Sequence, residues 1–426
     1  MSKAKTLQER ETYQVHLEAA ELGIQEQVGI LHRNLRKEDL PPSFQYVESW
    51  EQHPGRFMLD PRLDIHSGEQ FPEVGVPGFG IFLDSAPDRW GRMLMERREA
   101  VEADREERAM KKLHEVDFLL GVHDITRMGA LRFRKSEGAN FLDNREIAAP
   151  PVTSLAELAE ISRQLEEPGV EKLPAYERWL AMLIAPGTSL GGARPKANFT
   201  DITGKLWFAK FPSREDRYDV GAWEYLVHRM ARDAGIWVPE SRLEKFGDGY
   251  RTFCVERFDR ERWSRRMFVS AMTLLERQDG QTDASYIDIV EFISDQGAQN
   301  HINTDLEQLY RRVVFNVLIG NRDDHLRNHG CLRDKSGWCL APAFDMNPSL
   351  YKHEHALTLD GQTAAPSLKA VSQTAEDFYR LTRANADAIE KEVAAVGDPE
   401  FQAQRCGAAN LAVFFQQKQG FAIAFT

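Results

Sequence analysis

Cysteine is scarce in this chain. Four residues in 426 (Cys254, Cys331, Cys339 and Cys406) are too few for a disulfide framework in a protein of this size. Cys331 and Cys339 flank a predicted hairpin, where a pair of reduced, partly buried thiols is expected. No apolar run approaches the roughly 18 residues of a membrane span, and the opening MSKAKTLQERETYQ lacks the apolar core of a signal peptide. Both absences predict a cytoplasmic protein with no membrane partner. Positive charge is also in deficit: 54 Lys and Arg stand against 66 Asp and Glu, a formal net charge of −12. Duplex DNA is a polyanion that Lys and Arg must neutralise, so this chain is not expected to read nucleic acid alone. A partner would have to bring the basic surface. Internal repeats and low-complexity tracts are missing too, which argues against a solenoid or a disordered tail.

What is present is the mix of a soluble globular protein, with 42% hydrophobic and 28% charged residues. The length suggests two or three cores. Short alternating stretches, TYQVHLE (12–18) and QVGILHR (27–33), read as strands between the turn formers of DLPPS and HPGR. Ser85 or Asp88 can cap a helix on which Trp90, Met93, Leu94 and Arg97 follow at helical spacing. The alternating charges from Glu96 to Lys112 read as a solvated face, and GALRFR (129–134) as another strand. The proline pair in AAPPVTS (148–154) suggests a linker.

Beyond it, LAELAEISRQL and YERWLAMLIA carry helical periodicity, and KANFTDITGKLWFAKF reads as a hairpin turning at Thr203-Gly204. GAWEYLVHRMARDAGI is a helix stopped by Gly235, and two strands surround Gly247-Asp248-Gly249. Helical patterns dominate after about residue 265. In TDLEQLYRRVVFNVLIG, Thr304 and Glu307 are expected to form a capping box, with Leu306, Leu309, Val313 and Val317 along one face. The expected class is α+β. A mixed α/β subdomain covers 1–150 and a two-lobed, protein-kinase-like core covers 151–426, with strands to about 264 and a helix-rich lobe from about 265.

Chemistry concentrates in NRDDHLRN (321–328), directly after the long helix. Kinases place an Asp at the acceptor hydroxyl and, after four intervening residues, an Asn that ligates the cation on the phosphates. Asp323 and Asn328 have that spacing. On this segment alone, a polar helix terminus with a capping Asn explains it equally well. One hairpin later, AFDMNP sets Asp345 between apolar Phe344 and Met346, where a half-buried carboxylate needs a cation or donors. The competing reading is an Asx-turn before Pro348. APGTSLGGARPKANF (185–199) is glycine-rich and leads into a strand, so its amides suit an anion. It has neither a Walker A ending nor a kinase G-x-G-x-x-G. Ser189 lies inside it as a potential phosphate acceptor. Lys210 in LWFAKF is a lone cation on an apolar strand, a residue seldom buried unpaired. Glu224, Glu215 and Asp216 are possible partners in sequence.

Taken together, LDSAPDRWGR (83–92), TSLGGARPKA, VERFDR (255–260), NRDDHLRN and AFDMNP resemble, in order and approximate spacing, the HipA family of serine/threonine kinases, the toxins of bacterial type II toxin–antitoxin modules. The resemblance implies ATP and Mg2+ as cofactors. Asp323 would be the catalytic base, Asn328 and Asp345 the metal ligands, and Lys210 the phosphate-binding lysine. Glu256 and Phe258 fall on the adenine hinge, while Gly191, Gly192, Ala193, Lys196 and His325 complete the nucleotide set. Ser189 matches the autophosphorylated serine, whose phosphate would expel the loop that carries it; nearly two added negative charges do not stay where ATP phosphates belong. The implied partners are a helix-turn-helix antitoxin, operator DNA through that complex, and a protein substrate such as an aminoacyl-tRNA synthetase. Arg194-Pro195-Lys196 departs from the family's best-known loop, which bears on target choice, and the acidic stretches at 102–107 and 165–171 match nothing assigned.

Two other classes compete with this reading. A zinc hydrolase would draw on His325, His329, His353 and His355, but Leu326 stands where H-E-x-x-H requires Glu. A non-catalytic corepressor would keep the fold only to dock the antitoxin, yet every nucleotide-handling position is retained.

Overall fold

The structure, a computed structural model, describes residues 10–37, 39–135, 138–142, 154–184, 192, 194–261, 264–281, 283–349 and 351–396. The chain forms two compact units, Met1–Glu215 with Asp259–Val269, and Asp216–Phe258 with Ser270–Thr426.

In the first unit, β1 (Arg10–Ala19) pairs antiparallel with β2 (Ile24–Asn34) on one side and β4 (Leu131–Arg134) on the other, and β3 (Ser43–Tyr46) extends the sheet beyond β2. Alternation decides the faces: Val15, Leu17 and Ala19 are fully buried while their neighbours are not. Between β3 and β4 the chain forms α1 (Glu48–Glu51), α2 (Gly80–Asp84), the longer α3 (Arg89–Arg105) and α4 (Glu115–Leu120). Asp88, not Ser85, caps α3, accepting the Gly91 amide at 2.9 Å. The charged end of α3 is less solvated than the sequence suggests. Glu99 is buried and accepts from Arg108 at 2.5 Å and from the Lys111 amide at 2.7 Å. α5 (Leu155–Leu165) and α6 (Tyr176–Ile184) precede a hairpin of β5 (Lys196–Thr200) and β6 (Leu206–Lys210), turning at Gly204 as expected. The acidic run after α5 has an internal role: Glu166 accepts from the Ser213 hydroxyl at 2.7 Å and the Arg214 amide at 2.8 Å. The linker expected at 148–154 falls, except for Ser154, outside the described residues.

The second unit opens with α7 (Val220–Asp233), capped by Asp219 and stopped before Gly235, whose φ is +74°. The antiparallel pair β7 (Ser241–Glu244) and β8 (Thr252–Glu256) follows. The chain then passes through β9 (Arg260–Glu261) and β10 (Ser264–Arg265), which pair within the first unit, and leaves it along β11 (Phe268–Ser270). The helix-rich remainder contains α8 (Ala271–Leu274), α9 (Tyr286–Gln296), α10 (Ile302–Ile319), the hairpin β12 (Gly330–Asp334) and β13 (Gly337–Leu340), α11 (Leu368–Thr374) and α12 (Arg383–Val396). Its core gathers Leu306, Leu309, Val313 and Val317 of α10 with residues of α7, α9 and α12.

The expected capping box at Thr304 and Glu307 does not form. α10 begins earlier, with His301 at its N-cap, so both residues lie within the helix. The box pattern is local, whereas this terminus is set by tertiary packing: every α10 residue from Asp305 to Ile319 except Glu307 is buried. In the β12–β13 register Cys331 faces Leu340 and Cys339 faces Leu332, and neither they nor Cys254 form a disulfide. Among the described residues no helix is long and apolar enough to cross a membrane. The class is the α+β one expected.

Candidate functional site

The NRDDHLRN segment starts where α10 stops. Gly320 adopts φ +71°, and the Asn321 and Gly320 amides donate to the carbonyls of Asn316 (2.9 Å) and Val317 (3.3 Å). This is a Schellman closure, which only a residue tolerant of left-handed backbone makes at low cost. It fixes the point at which the loop departs.

Asp324 faces inward and is 3% exposed. Its Oδ2 accepts from the Tyr286 hydroxyl at 2.6 Å, Asn316 Nδ2 at 2.8 Å and His329 Nε2 at 2.6 Å. Asn316 is oriented in turn by Asn321 Nδ2, at 3.1 Å. Burial pushes the Asp324 carboxyl upward, but the His329 charge and the hydrogen bonds from His329 and Tyr286 outweigh it and hold it below the ordinary carboxylate value. Burial, reinforced by the Asp324 charge, lifts the Tyr286 hydroxyl far above its usual range. The loop's exit is pinned by the Ala271 amide on the His329 carbonyl, at 2.8 Å.

Asp323, its neighbour, faces outward with its side chain 59% exposed, and its Oδ1 is met by Lys352 Nζ. Asn328 lies in the single 3-10 turn Leu326–Asn328 and is buried. Its amide donates to the His325 carbonyl at 2.8 Å and its Nδ2 to the Asp323 carbonyl at 3.4 Å. That bond uses one of the two N–H groups of the carboxamide, whose acceptor is Oδ1. The half-buried His325 ring has an enclosed Nδ1 with no hydrogen-bond partner.

Asp345 sits on the segment after β13, half-buried, with φ +57°. Left-handed backbone is uncommon outside glycine, and Asp is one of the residues that tolerates it. The segment is clamped on both sides. The Ala341 carbonyl accepts from Arg312 at 2.7 Å, and the Ala343 amide donates to the Trp237 carbonyl at 2.7 Å. Phe344 stacks on Phe258, with ring centroids 5.4 Å apart and planes at 25°. Two of the predicted segments, VERFDR and AFDMNP, therefore meet through their aromatics. Glu256 ends β8, its amide on the Glu240 carbonyl at 2.8 Å.

In the first unit, Lys210 ends β6, half-buried and opposite Lys196 in the β5–β6 register. Lys196 is 1% exposed, and its Nζ bonds Asp88 Oδ2 at 2.7 Å and the Gly192 carbonyl at 2.6 Å. Ser189, Gly191 and Ala193 lie outside the described residues.

Sequence reasoning missed Tyr286, Asn316 and Lys352, and did not separate Asp324 from Asp323. It offered His329 only as a zinc ligand, whereas its Nε2 is on Asp324. Among the described residues no three His, Cys, Asp or Glu side chains form a metal-holding group. Asn328 and Asp345 offer hard oxygens, a carboxamide and a carboxylate, donor types that suit magnesium better than zinc.

A family profile described as HipA-like C-terminal domain matches residues 188–398. A protein of Haemophilus influenzae named "Putative kinase" is 28% identical over 180 residues, 37% of this chain and 52% of that protein, so the match spans about half of the relative's length. Among solved structures, the chain is similar to one described as the Shewanella oneidensis MR-1 toxin–antitoxin system HipA, HipB and its operator DNA complex. The TM-score is 0.62 at 18% identity, over 95% of each chain, which establishes a common fold.

Proposed function

We propose, on the premise that this chain belongs through residues 188–398 to the family of HipA-like C-terminal domains, that it is an ATP-dependent kinase phosphorylating serine or threonine hydroxyls of a protein. The observation that carries this reading is the division of labour in one loop: Asp324 is buried with three hydrogen bonds on its Oδ2, while Asp323 is held outward beside the oriented carboxamide of Asn328.

On this reading residues 151–426 are the kinase core. Asp323 accepts the hydrogen bond of the incoming hydroxyl, aligns its oxygen on the γ-phosphorus and takes the proton as the bond to phosphorus forms. Asn328 Oδ1 and the Asp345 carboxylate would hold Mg2+, which when bound neutralises charge on the phosphates. Lys210 serves the α- and β-phosphates. Glu256 and Phe258 hold the adenine, the stack of Phe258 on Phe344 giving that ring a fixed plane. The glycine-rich segment with Gly191, Gly192 and Ala193 supplies amides to the phosphates. Lys196 holds that segment through the Gly192 carbonyl, and His325 braces the loop that carries Asp323. Ser189 is the internal acceptor. The protein works in the cytoplasm with a helix-turn-helix antitoxin, reaches operator DNA through that complex, and has a translation-related protein, such as an aminoacyl-tRNA synthetase, as its target. The −12 net charge suits a subunit that leaves DNA contact to its partner.

Incubating the full chain with Mg2+, γ-labelled ATP and a cell lysate tests the reading. Label is expected on Ser189 and on at least one lysate protein. Asp323→Gln, at an exposed position, is expected to keep the melting temperature while transfer falls about 1,000-fold. Undiminished labelling by Asp323→Gln would remove the assigned base, and label confined to other residues would remove the role of Ser189.

A further inference from the structure

The outward carboxylate of Asp323 is met by a lysine from a distant part of the sequence, and the backbone around that lysine is tied to the same loop. The Ser349 amide donates to the Gly320 carbonyl at 2.8 Å, and the Ser349 hydroxyl accepts the Arg322 amide at 3.2 Å. Arg322 Nη1 donates to the Lys352 carbonyl at 2.6 Å, and the Ala356 amide to the Arg322 carbonyl at 3.1 Å. Four hydrogen bonds thus tie Ser349, Lys352 and Ala356 to Gly320 and Arg322, and the Lys352 ammonium ends on Asp323.

Stability does not account for this pair. Both side chains are half exposed or more, at 50% and 59%, where an ion pair contributes little. The loop's own arginines are turned elsewhere. Arg322 is on the Lys352 carbonyl, and Arg327 is bidentate on Asp279 at 2.8 and 2.7 Å. Phosphoryl transfer spreads charge over the equatorial oxygens of the group in flight, and a preorganised cation is the device that stabilises it.

We infer that Lys352 is a further catalytic residue, the cation that contacts the transferred phosphoryl group beside Asp323. This rests on the kinase reading of the loop. The acceptor oxygen bonds the γ-phosphorus, its proton passes to Asp323, and the bond to the β–γ bridging oxygen breaks to release ADP. The Lys352 ammonium, already at Asp323, donates to a nonbridging oxygen of the group in flight. The Arg322 clamp fixes its backbone so that little reorganisation is needed.

The test compares the parent, Lys352→Met and Lys352→Arg as full chains. Single-turnover transfer from γ-labelled ATP is measured, counting label in the chain and in added lysate protein together. MgATP affinity by calorimetry and the melting temperature are measured in parallel. Lys352→Met is expected to lower the transfer rate by about 100-fold, with MgATP affinity and melting temperature held. Lys352→Arg, which keeps the charge, is expected to recover about a tenth or more of the parent rate. A Met variant as fast as the parent overturns the inference, and a faster one would make Lys352 a latch over Asp323. A rate loss accompanied by equal loss of MgATP affinity or of thermal stability also overturns it. A parent that transfers no phosphoryl group overturns the kinase reading, and this inference with it, whereas an active parent beside an unaffected Met variant overturns the inference alone.

Discussion

Asp323 and Asp324 are chemically identical neighbours in opposite surroundings, and a sequence cannot tell which of two adjacent carboxylates turns inward. Spacing to Asn328 made Asp323 the candidate base but carried no information on which carboxylate faces solvent. The partners of Asp324, however, come from α9 and α10 as well as from the loop, so only tertiary structure shows them. The same holds for Lys352, whose link to Asp323 has no local signature. His355 belongs to this neighbourhood and gives it a titration. Burial, opposed by the Asp324 charge and aided by Arg322, lowers the imidazole from 6.5 to about 4. A folded value below the unfolded one means that the unfolded chain takes up the proton first, so this contribution is complete above about 6.5 and is lost as pH falls toward 4. Asp324 is held below the ordinary carboxylate value and keeps its contribution through this window. Asp305, which burial raises to about 6, slopes the other way, so the parent alone will not isolate the histidine. The difference does: the unfolding free energy of His355→Leu minus that of the parent is expected to rise by about 3 kcal/mol from pH 6.5 to pH 4. Urea titrations across that range read it, and a pH-independent difference would show that His355 does not carry the proton uptake.

Among the elements, α10 was the most legible as a helix and the least legible in its role. Its apolar periodicity gave its existence and one buried face. That the opposite face is buried as well could not be read, because the polar residues there look like solvent-facing ones. Each is instead bonded to another element. Gln308 receives the Trp237 amide at 2.9 Å and donates to the Gly235 carbonyl at 2.9 Å, while Arg311 reaches the Ala234 carbonyl at 3.0 Å. Arg312 holds Ala341 at 2.7 Å, and Asp305 receives the Leu340 amide at 2.9 Å. The helix is therefore a central post whose polar side chains set both the turn after α7 and the segment leading to Asp345. Replacing Gln308 by Leu retains bulk but removes both bonds, each contributing about 0.5–1.5 kcal/mol. Gln308→Leu is expected to lose about 1–3 kcal/mol in urea unfolding, and a loss well under about 1 kcal/mol would mean that water replaces both bonds.

At the scale of the whole molecule, composition and punctuation offer linear ranges such as 1–150 and 151–426, whereas the two units of the structure are discontinuous in sequence. The eleven residues from Asp259 to Val269 leave the second half of the chain and fold with the first unit, and the chemistry that holds them there is ionic. Asp259 is fully buried and accepts the Gly129 amide at 2.8 Å and Arg260 Nη1 at 2.5 Å. Arg260 also donates to the Gly129 carbonyl at 3.1 Å, and Arg265 to the Asp124 carbonyl at 2.6 Å. The family resemblance puts an adenine hinge at Glu256 and Phe258 of VERFDR. Its last two residues, Asp259 and Arg260, form a buried anchor to the strand-bearing unit, a task invisible in sequence because their partners lie about 130 positions earlier. Removing one member of such a group leaves the others charged and unpaired, which costs about 3–5 kcal/mol. Asp259→Ala is expected to lose that much in urea unfolding, and Asp124→Ala to lose a similar amount by freeing Arg132 and Arg265. The double variant is expected to fall short of the sum, since Asp124 and Asp259 act on a shared cluster of arginines. Strict additivity would mean that the two aspartates hold separate joints, and that the segment from Asp259 to Val269 is fastened at two independent points.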